Sequence, residues 1–321
     1  YVYSQKTLGN FWGFVSGWSY FIGTIAGNAI ILHAFGSLVK KMGFTLPFAH
    51  STSPLFAQLI FDVFFLVIFT VLNLLNTTVL EKMHVGFTIL KTIPFGLVLI
   101  AMFFLFDIKN ITTATVKPFG LFESLPIVLF AYLGIEACCS ITHQIKDGER
   151  NASRAMLISL AIIAATYAFI QFGLLGILGS QGTNPFFEIV PRLTSNPMLI
   201  SGGNFLVKIA ILSSYLGGFY GMYYANSWNL YAIAKEKNIL FANTFTKLNK
   251  YHTPWTCILF QGILIVLLLF VSLHHDSSLM VMSGFGVVIA YILSVLTYFK
   301  AAPRGISNVL TGVLALAGSS A

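Results

Sequence analysis

The sequence predicts an all-α, polytopic membrane protein. Aliphatic and aromatic residues make up 57% of its 321 residues, whereas Asp, Glu, Lys and Arg together make up only 9%. A soluble domain carries about 25% charged residues, and 18 basic plus 10 acidic side chains are too few to cover a water-soluble globule of this size. The apolar runs are continuous rather than alternating with polar residues, which favours helices over a transmembrane β-barrel.

The apolar runs predict eight spanning helices, because a helix needs about 20 apolar residues to cross the hydrocarbon core of a bilayer. In chain order these are Phe11–Leu38, Leu55–Leu75, Val85–Phe106, Leu125–Ile145, Ala155–Leu178, Phe205–Ala234, Trp255–Leu273 and Leu279–Phe299. A ninth run begins near Asn308 and reaches Ala321 before it is long enough to cross. We therefore expect one transmembrane domain over residues 1–321 that is a fragment, truncated at both ends.

The distribution of Lys and Arg predicts the orientation in the membrane. Residues 1–10 and the loops after even-numbered spans contain eleven of them, namely Lys6, Lys82, Lys146, Arg150, Arg154, Lys235, Lys237, Lys247, Lys250, Lys300 and Arg304. The opposite loops contain five, namely Lys40, Lys41, Lys109, Lys117 and Arg192. The bias places residues 1–10, 146–154, 235–254 and 300–306 on the cytoplasmic side.

Composition and motifs argue against several other classes of protein. The net charge of +8 is accounted for by loops at one membrane face, and no basic run alternates with aromatics as in a nucleic-acid groove. Cys138, Cys139 and Cys257 form no CxxC or Cys/His pattern, so we expect no metal site. No catalytic or phosphate-binding motif is present, so neither an enzyme nor a cofactor is expected. A channel is a weaker alternative, because no TVGYG-like filter is visible.

Glu136 is the clearest candidate functional residue, because it lies midway along the fourth predicted span, two residues after Gly134. Charged residues at membrane depth are costly and mark functional sites. Glycine tolerates backbone angles that interrupt a helix, and unwound backbone at that depth is found only where it lines a cavity or is buried in protein. The pair predicts a helix break at a cavity. A Glu that merely hydrogen bonds to a neighbouring helix is the alternative.

Other polar residues also lie within predicted spans. Asn28 has small neighbours that would let a helix or a ligand approach, so an interhelical hydrogen bond and substrate contact both fit. Lys91 lies about 10 Å inside its span at about 1.5 Å per residue, where it could act in coupling or extend its amine to the headgroups. Asp62 is expected to hydrogen bond between helices, and His33 to pack.

The sixth predicted span combines two hydroxyls, two glycines and aromatic rings over Ser213–Tyr220. The glycine pair fits close helix packing, and the aromatic rings could wall a ligand or stack on a cation. Ser213 and Ser214 are therefore candidates for coupling or gating.

Four segments resemble one known family in order along the chain. They are Tyr3–Trp18, Leu90–Pro94, Leu133–Ala137 with Glu149–Ala155, and Tyr231–Glu236 with Thr253–Pro254. They are similar to the amino acid permeases of the APC (amino acid–polyamine–organocation) superfamily, whose fold is a five-plus-five inverted repeat with broken helices 1 and 6. By this resemblance the eight spans are family helices 3–10, the ninth is the start of helix 11, and the break near Gly134 is that of helix 6.

The resemblance implies secondary active transport of amino acids by alternating access, as an exchanger or a proton symporter. A non-transporting fragment and a channel or sensor of the same fold are the alternatives. The implied partners are a small-molecule substrate (an amino acid, with a basic one or a polyamine as options) and the lipid bilayer, with no nucleic acid. A homodimer and a multi-pass location in the plasma (inner) membrane also follow from the family.

The family also implies roles for individual residues. Backbone carbonyls at Gly134 and Ile135 would accept the substrate ammonium beside Glu136, and Phe130 and Tyr132 would gate the site. Asn28 resembles the position that faces the substrate side chain in basic amino acid and diamine exchangers. Three further positions match the family. Phe219 lies where those exchangers have Trp, and Ser283 aligns with a position in the substrate pocket. Lys91 matches a family lysine whose amine occupies the place of a sodium ion in related sodium-coupled carriers.

Overall fold

The structure, a computed structural model, describes residues 1–43, 54–75, 77–113, 120, 128, 130–179, 185–237, 239–272, 276–301 and 315. This part of the chain is helical and contains no strand. Its α-helices are α1 Val2–Leu8, α2 Asn10–Lys41, α3 Pro54–Asn73, α4 Thr77–Lys91, α5 Ile93–Leu105, α6 Ile108–Thr112, α7 Gly148–Leu178, α8 Pro185–Leu193, α9 Pro197–Lys235, α10 Ala242–Phe245, α11 Trp255–Val271 and α12 Asp276–Ala301, with a 3₁₀ helix at Ile135–Gln144.

The helices confirm the predicted fold class. Within the described ranges, six stretches are long and apolar enough to cross a membrane: Asn10–Lys41, Leu55–Asn73, Glu81–Leu105, Arg150–Leu178, Pro197–Lys235 and Ser277–Ala301. They coincide with the first, second, third, fifth, sixth and eighth predicted spans. The seventh corresponds to α11, an apolar helix of 17 residues. The ninth predicted run lies outside the described residues apart from Ala315.

The fourth predicted span, Leu125–Ile145, differs from the others because its described part is not one continuous α-helix. Gly134 has a φ of 103°, in the left-handed region that favours glycine. Beyond it the chain continues as the 3₁₀ helix Ile135–Gln144. In its first turn the Ala137 amide donates a hydrogen bond to the Gly134 carbonyl. The third predicted span is interrupted as well, between α4 and α5, where Pro94 lies in the first turn of α5 and lacks a backbone donor.

The chain divides into two compact units. The first comprises Tyr1–Leu80, Leu125–Ile141 and Phe219–Ala321, and the second comprises Glu81–Ser124 and Thr142–Gly218. The single transmembrane domain of the sequence analysis remains a prediction.

The first unit is organised around α2, which makes its most extensive contact with α12. A Cβ atom added at Gly23 would lie 3.0 Å from the Cα atom of Gly286, so glycine on both helices allows the backbones to approach closely. Hydrogen bonds from polar side chains join α9 to α2 and α11 to α9. Asn226 donates to the Phe21 carbonyl, and Gln261 donates to the Tyr223 carbonyl. In an apolar surrounding such bonds fix the relative register of the helices.

Asp62 joins α2 to α3 in the same unit, which confirms the interhelical hydrogen bond expected for it. Its side chain is 1% exposed. One carboxylate oxygen lies 2.8 Å from Nδ1 of His33, and the other accepts a 2.8 Å hydrogen bond from Nε2 of Gln58. Gly36 leaves the space for this carboxylate, because an added Cβ would collide with Oδ1 of Asp62.

The second unit has its own apolar core, formed by α5, α7 and α8. Its buried members are Val98, Ala101, Leu174, Ile177, Leu178 and Ile189. Two hydrogen bonds tie the segment after α5 and the helix α8 to the C-terminal end of α7. The Asp107 amide donates to the Gly176 carbonyl at 3.0 Å, and the Arg192 guanidinium donates to the Ile177 carbonyl at 2.9 Å.

Candidate functional site

A cavity of about 60 Å³ lies in the first unit, between α2, the chain around Gly134, α9 and α12. Its wall is mostly apolar, with a few polar side chains, the pattern of small-molecule sites in proteins. The lining residues are Thr24, Gly27, Asn28, Ile31, Phe130, Leu133, Glu136, Met222, Ser283 and Val287.

The interrupted helix at Gly134 forms one side of this cavity. The Leu133 amide donates to the Phe130 carbonyl at 3.2 Å, a turn that ends just before Gly134. The Gly134 amide does not continue a helix but donates to the Glu136 carboxylate, 3.1 Å from Oε2 and 3.3 Å from Oε1. Left-handed backbone geometry is costly for residues other than glycine, so Gly134 is the reason the chain breaks here.

Glu136 connects the break to two spanning helices. The Tyr20 hydroxyl of α2 donates to Oε1 of Glu136 at 3.1 Å. The Tyr291 hydroxyl of α12 also interacts with this carboxylate. Together with the Gly134 amide, these donors satisfy a carboxylate that would otherwise be costly in an apolar surrounding. Any movement of the broken segment therefore has to change its bonds to α2 or α12.

Asn28 and Ser283 supply polar atoms that no other group in the described part of the chain satisfies. Each residue is 1% exposed, and among the described residues neither the Asn28 amide atoms nor Oγ of Ser283 has a hydrogen-bond partner. Such groups cost about 1–3 kcal/mol when left unpaired, which a polar ligand in the cavity would relieve. Gly27 makes room for the Ser283 hydroxyl, since a Cβ there would lie 2.9 Å from Oγ.

The structure brings half of the predicted substrate residues to the cavity. Asn28, Phe130, Glu136 and Ser283 all line it. Gly134 and Ile135 form the break itself, and the Ile135 carbonyl accepts a contact from the Cys138 thiol. Tyr132 is half-buried beside the break but does not line the cavity.

Phe219 lies elsewhere, in an aromatic cluster between α3 and α9. Its ring centroid is 5.3 Å from that of Phe69 and 5.4 Å from that of Tyr223, with which it stacks. The ring is almost completely buried in these contacts and does not reach the cavity wall. Its role in substrate binding stays a prediction.

The predicted coupling residues other than Glu136 belong to the second unit. Lys91 ends α4 and has an exposed side chain. Ser213 is buried and donates to the Ala210 carbonyl at 2.8 Å, whereas Ser214 is exposed. The Ser213 bond is local to its own helix, which is an ordinary way to satisfy a hydroxyl in an apolar span.

Several residues at this site were not predicted from the sequence, although helical spacing places them on the same helix faces as Asn28 and Ser283. Tyr20, Thr24 and Ile31 lie at four- and seven-residue intervals on the face of α2 that also carries Asn28. Val287 and Tyr291 follow Ser283 at intervals of four on α12. Within the described chain, no group of three or more His, Cys, Asp or Glu side chains is arranged to hold a metal ion.

Comparison with known proteins identifies the family. The Amino acid permease family model matches residues 1–303. Three curated relatives come from Bacillus subtilis (strain 168). The Serine/threonine exchanger SteT is 28% identical over 307 residues, 93% of this chain and 67% of that protein. The Branched-chain amino acid permease BcaP is 22% identical over 290 residues, 84% and 60% respectively. The Aspartate-proton symporter is 24% identical over 211 residues, 62% and 40% respectively.

By name, these relatives are transporters rather than enzymes, and the chain spans between 40% and 67% of their lengths. The matched family and the apolar helices make this an integral, multi-pass protein of the plasma membrane. The family match over residues 1–303, the broken helix at Gly134 and the cavity beside it agree with the resemblance found in the sequence, and the chain belongs to the Amino acid permease family.

Proposed function

We propose that this chain forms part of a secondary transporter that carries amino acids across the membrane by alternating access. The observation that carries the proposal is the cavity at Gly134, where two buried polar side chains find no hydrogen-bond partner among the residues that the structure describes. A transport site must bind its substrate and then release it, and it needs an element that can move. The glycine-centred break, held by the Glu136 bonds, is a suitable element for this.

The substrate would lie with its backbone groups near the break. Carbonyls around Gly134 and Ile135 would accept the ammonium, and Phe130 would cover it. Asn28 and Ser283 would face the substrate side chain, while Glu136 would hold or release the broken segment through Tyr20. Tyr132 would contribute to the same gate from beside the break.

The cavity favours a small, neutral, hydrogen-bonding side chain. A volume of about 60 Å³ holds only a few atoms. Its acid, Glu136, already receives bonds from Tyr20 and the Gly134 amide, which leaves little capacity for a cationic side chain. The name of the relative SteT, a serine/threonine exchanger, supports this choice. A basic amino acid or a polyamine is the second candidate, favoured by the resemblance at Asn28.

Transport would not require sodium, because the Lys91 amine would supply the positive charge that a sodium ion supplies in related sodium-coupled carriers. Exchange and proton symport are then the two modes to be distinguished, with Ser213 and Ser214 as further gating candidates. A homodimer is the proposed assembly. A channel or a sensor of the same fold is the rival function, and it would not show saturable exchange.

The test is counterflow of labelled amino acids into proteoliposomes that contain the complete protein. We expect saturable, sodium-independent exchange of labelled serine against internal serine, with arginine a poor competitor. Asn28→Ala should weaken serine binding by about 0.5–1.5 kcal/mol, the net contribution of a neutral hydrogen bond. Ser283→Ala should also reduce binding.

Ser294→Ala is the matched control, because Ser294 lies on the same helix but donates to the Ala290 carbonyl and does not line the cavity. It should exchange serine like the parent. Preferred exchange of arginine would favour the second candidate. Conduction that does not saturate would contradict the transporter proposal.

A further inference from the structure

The connection between α9 and α11 carries a concentrated positive charge at the predicted cytoplasmic face. This segment, residues 235–254, is referred to below as the lysine loop. It contains four exposed lysines, Lys235, Lys237, Lys247 and Lys250, and a single acid, Glu236. Since it joins the ends of two helices that lie in the membrane, it has to run close to the headgroups.

Two large apolar side chains project from the same loop. Leu240 is 83% exposed and Phe241 is 78% exposed. Phe241 also adopts left-handed backbone angles, with φ at 59° and ψ at 26°, which is unusual for a bulky residue. With 78% of its surface exposed, the ring buries little of its apolar surface against the described part of the chain.

The lysine loop is attached firmly enough to hold these side chains in place. The Thr256 hydroxyl of α11 donates to the Thr244 carbonyl at 2.8 Å. The Asn249 side chain donates to the Leu74 carbonyl at 2.8 Å and accepts from the Thr253 amide at 3.0 Å. These bonds anchor the loop to the ends of spanning helices in the first unit, so the loop stays close to those helix ends.

We propose that the lysine loop binds anionic phospholipid headgroups of the cytoplasmic leaflet, with Leu240 and Phe241 inserted at the boundary between headgroups and acyl chains. Lysines near an anionic surface attract it strongly at close range, and exposed apolar side chains add the burial of their surface. Four lysines beside an exposed apolar tip are therefore complementary to an anionic bilayer surface.

The test measures lipid contact at position 240 in the complete protein. An environment-sensitive fluorescent amino acid replaces Leu240, and the protein is placed in nanodiscs of phosphatidylcholine with or without phosphatidylglycerol. Phospholipids brominated along their acyl chains report contact by quenching. We expect quenching to rise when phosphatidylglycerol is added and to fall again at high salt, because salt screens the attraction.

Two variants and one control distinguish the contribution of the lysine charges to lipid binding from that of the inserted apolar side chains. Lys237→Gln with Lys247→Gln and Lys250→Gln should weaken the apparent affinity for phosphatidylglycerol about tenfold or more. The same exchange at Lys40, Lys41 and Lys109, on the opposite predicted face, should leave it unchanged. Phe241→Gly, which relieves the left-handed strain, should keep the protein as stable in detergent as the parent but reduce lipid quenching at position 240.

Three results would overturn the proposal. The probe could stay in contact with water in every nanodisc. It could contact lipid equally with and without phosphatidylglycerol, and equally in the lysine variant, which would remove the role of charge. It could also be shielded from both water and brominated lipid, which would mean that another part of the protein covers the lysine loop.

Discussion

The hydrogen bond between Tyr20 and Glu136 offers a direct test of how the broken segment is held. Glu136 accepts from the Tyr20 hydroxyl at 3.1 Å and from the Gly134 amide at 3.1 Å. Tyr20→Phe removes one donor to a carboxylate and keeps the ring. We expect it to lower the free energy of unfolding in detergent by about 1.5–3 kcal/mol, the range for hydrogen bonds to charged groups.

The pair is best measured as a double-mutant cycle with Glu136→Gln, which keeps the size of the side chain. The two single changes and the double change should show a coupling of about 1–3 kcal/mol, as for residues that share one network. In the transport assay, each single variant should still bind substrate but exchange it more slowly, because the segment is no longer held in one position.

A matched control comes from Tyr223, another buried tyrosine on a spanning helix. Its hydroxyl donates to the Ile258 carbonyl at 2.8 Å, away from Glu136. The cycle of Tyr223→Phe with Glu136→Gln should therefore be additive within about 0.5 kcal/mol. If Tyr20→Phe and Glu136→Gln were additive to the same degree, Glu136 would not hold the break through α2, and the gating argument would fail.

Three other changes test separate parts of the structure. Asp62→Ala should lower the free energy of unfolding in detergent by about 3 kcal/mol, since it removes the acceptor for two buried or half-buried donors; an unchanged denaturation midpoint would contradict this. Gly27→Ala should reduce serine exchange, because the new Cβ would lie 2.9 Å from Oγ of Ser283. Adding Ser283→Ala to Gly27→Ala should restore part of the lost exchange. If the double variant exchanged serine no faster than Gly27→Ala alone, the two positions would not share one space. Lys91→Met should abolish exchange in sodium-free buffer while the protein still reaches the membrane, and strict sodium dependence of the parent would refute the coupling role.

The sequence predicted the helix break well because one residue causes it. Gly134 is the position where φ reaches 103°, and no neighbouring contact was needed to foresee that a glycine beside a buried acid interrupts a span. The partners of Glu136 were not foreseen. Tyr20 and Tyr291 lie 116 residues before and 155 residues after it in the chain, and which tyrosine reaches the carboxylate depends on how α2 and α12 are rotated.

Phe219 is a second residue whose surroundings could not be predicted from its local sequence. Its place after two glycines matched a substrate position of the family, but its ring packs on Phe69 and Tyr223. A residue on a helix surrounded by protein can face a cavity or another helix, and its local sequence is the same in both cases. Only the packing of α3 against α9 decides between them.

The sequence by itself therefore determined the properties that follow from local composition: membrane insertion of the apolar runs, their helical state and the interruption at Gly134. Each depends on residues adjacent in the chain, for which solvent transfer and backbone sterics are sufficient. The tertiary structure alone decided which polar atoms are satisfied. Asp62 accepts a hydrogen bond from Gln58 and lies against His33, whereas Asn28 and Ser283 have no hydrogen-bond partner within the described ranges. Hydrogen bonding requires atoms within about 3.5 Å of one another, and across helices that separation is set by packing, which no stretch of sequence encodes by itself.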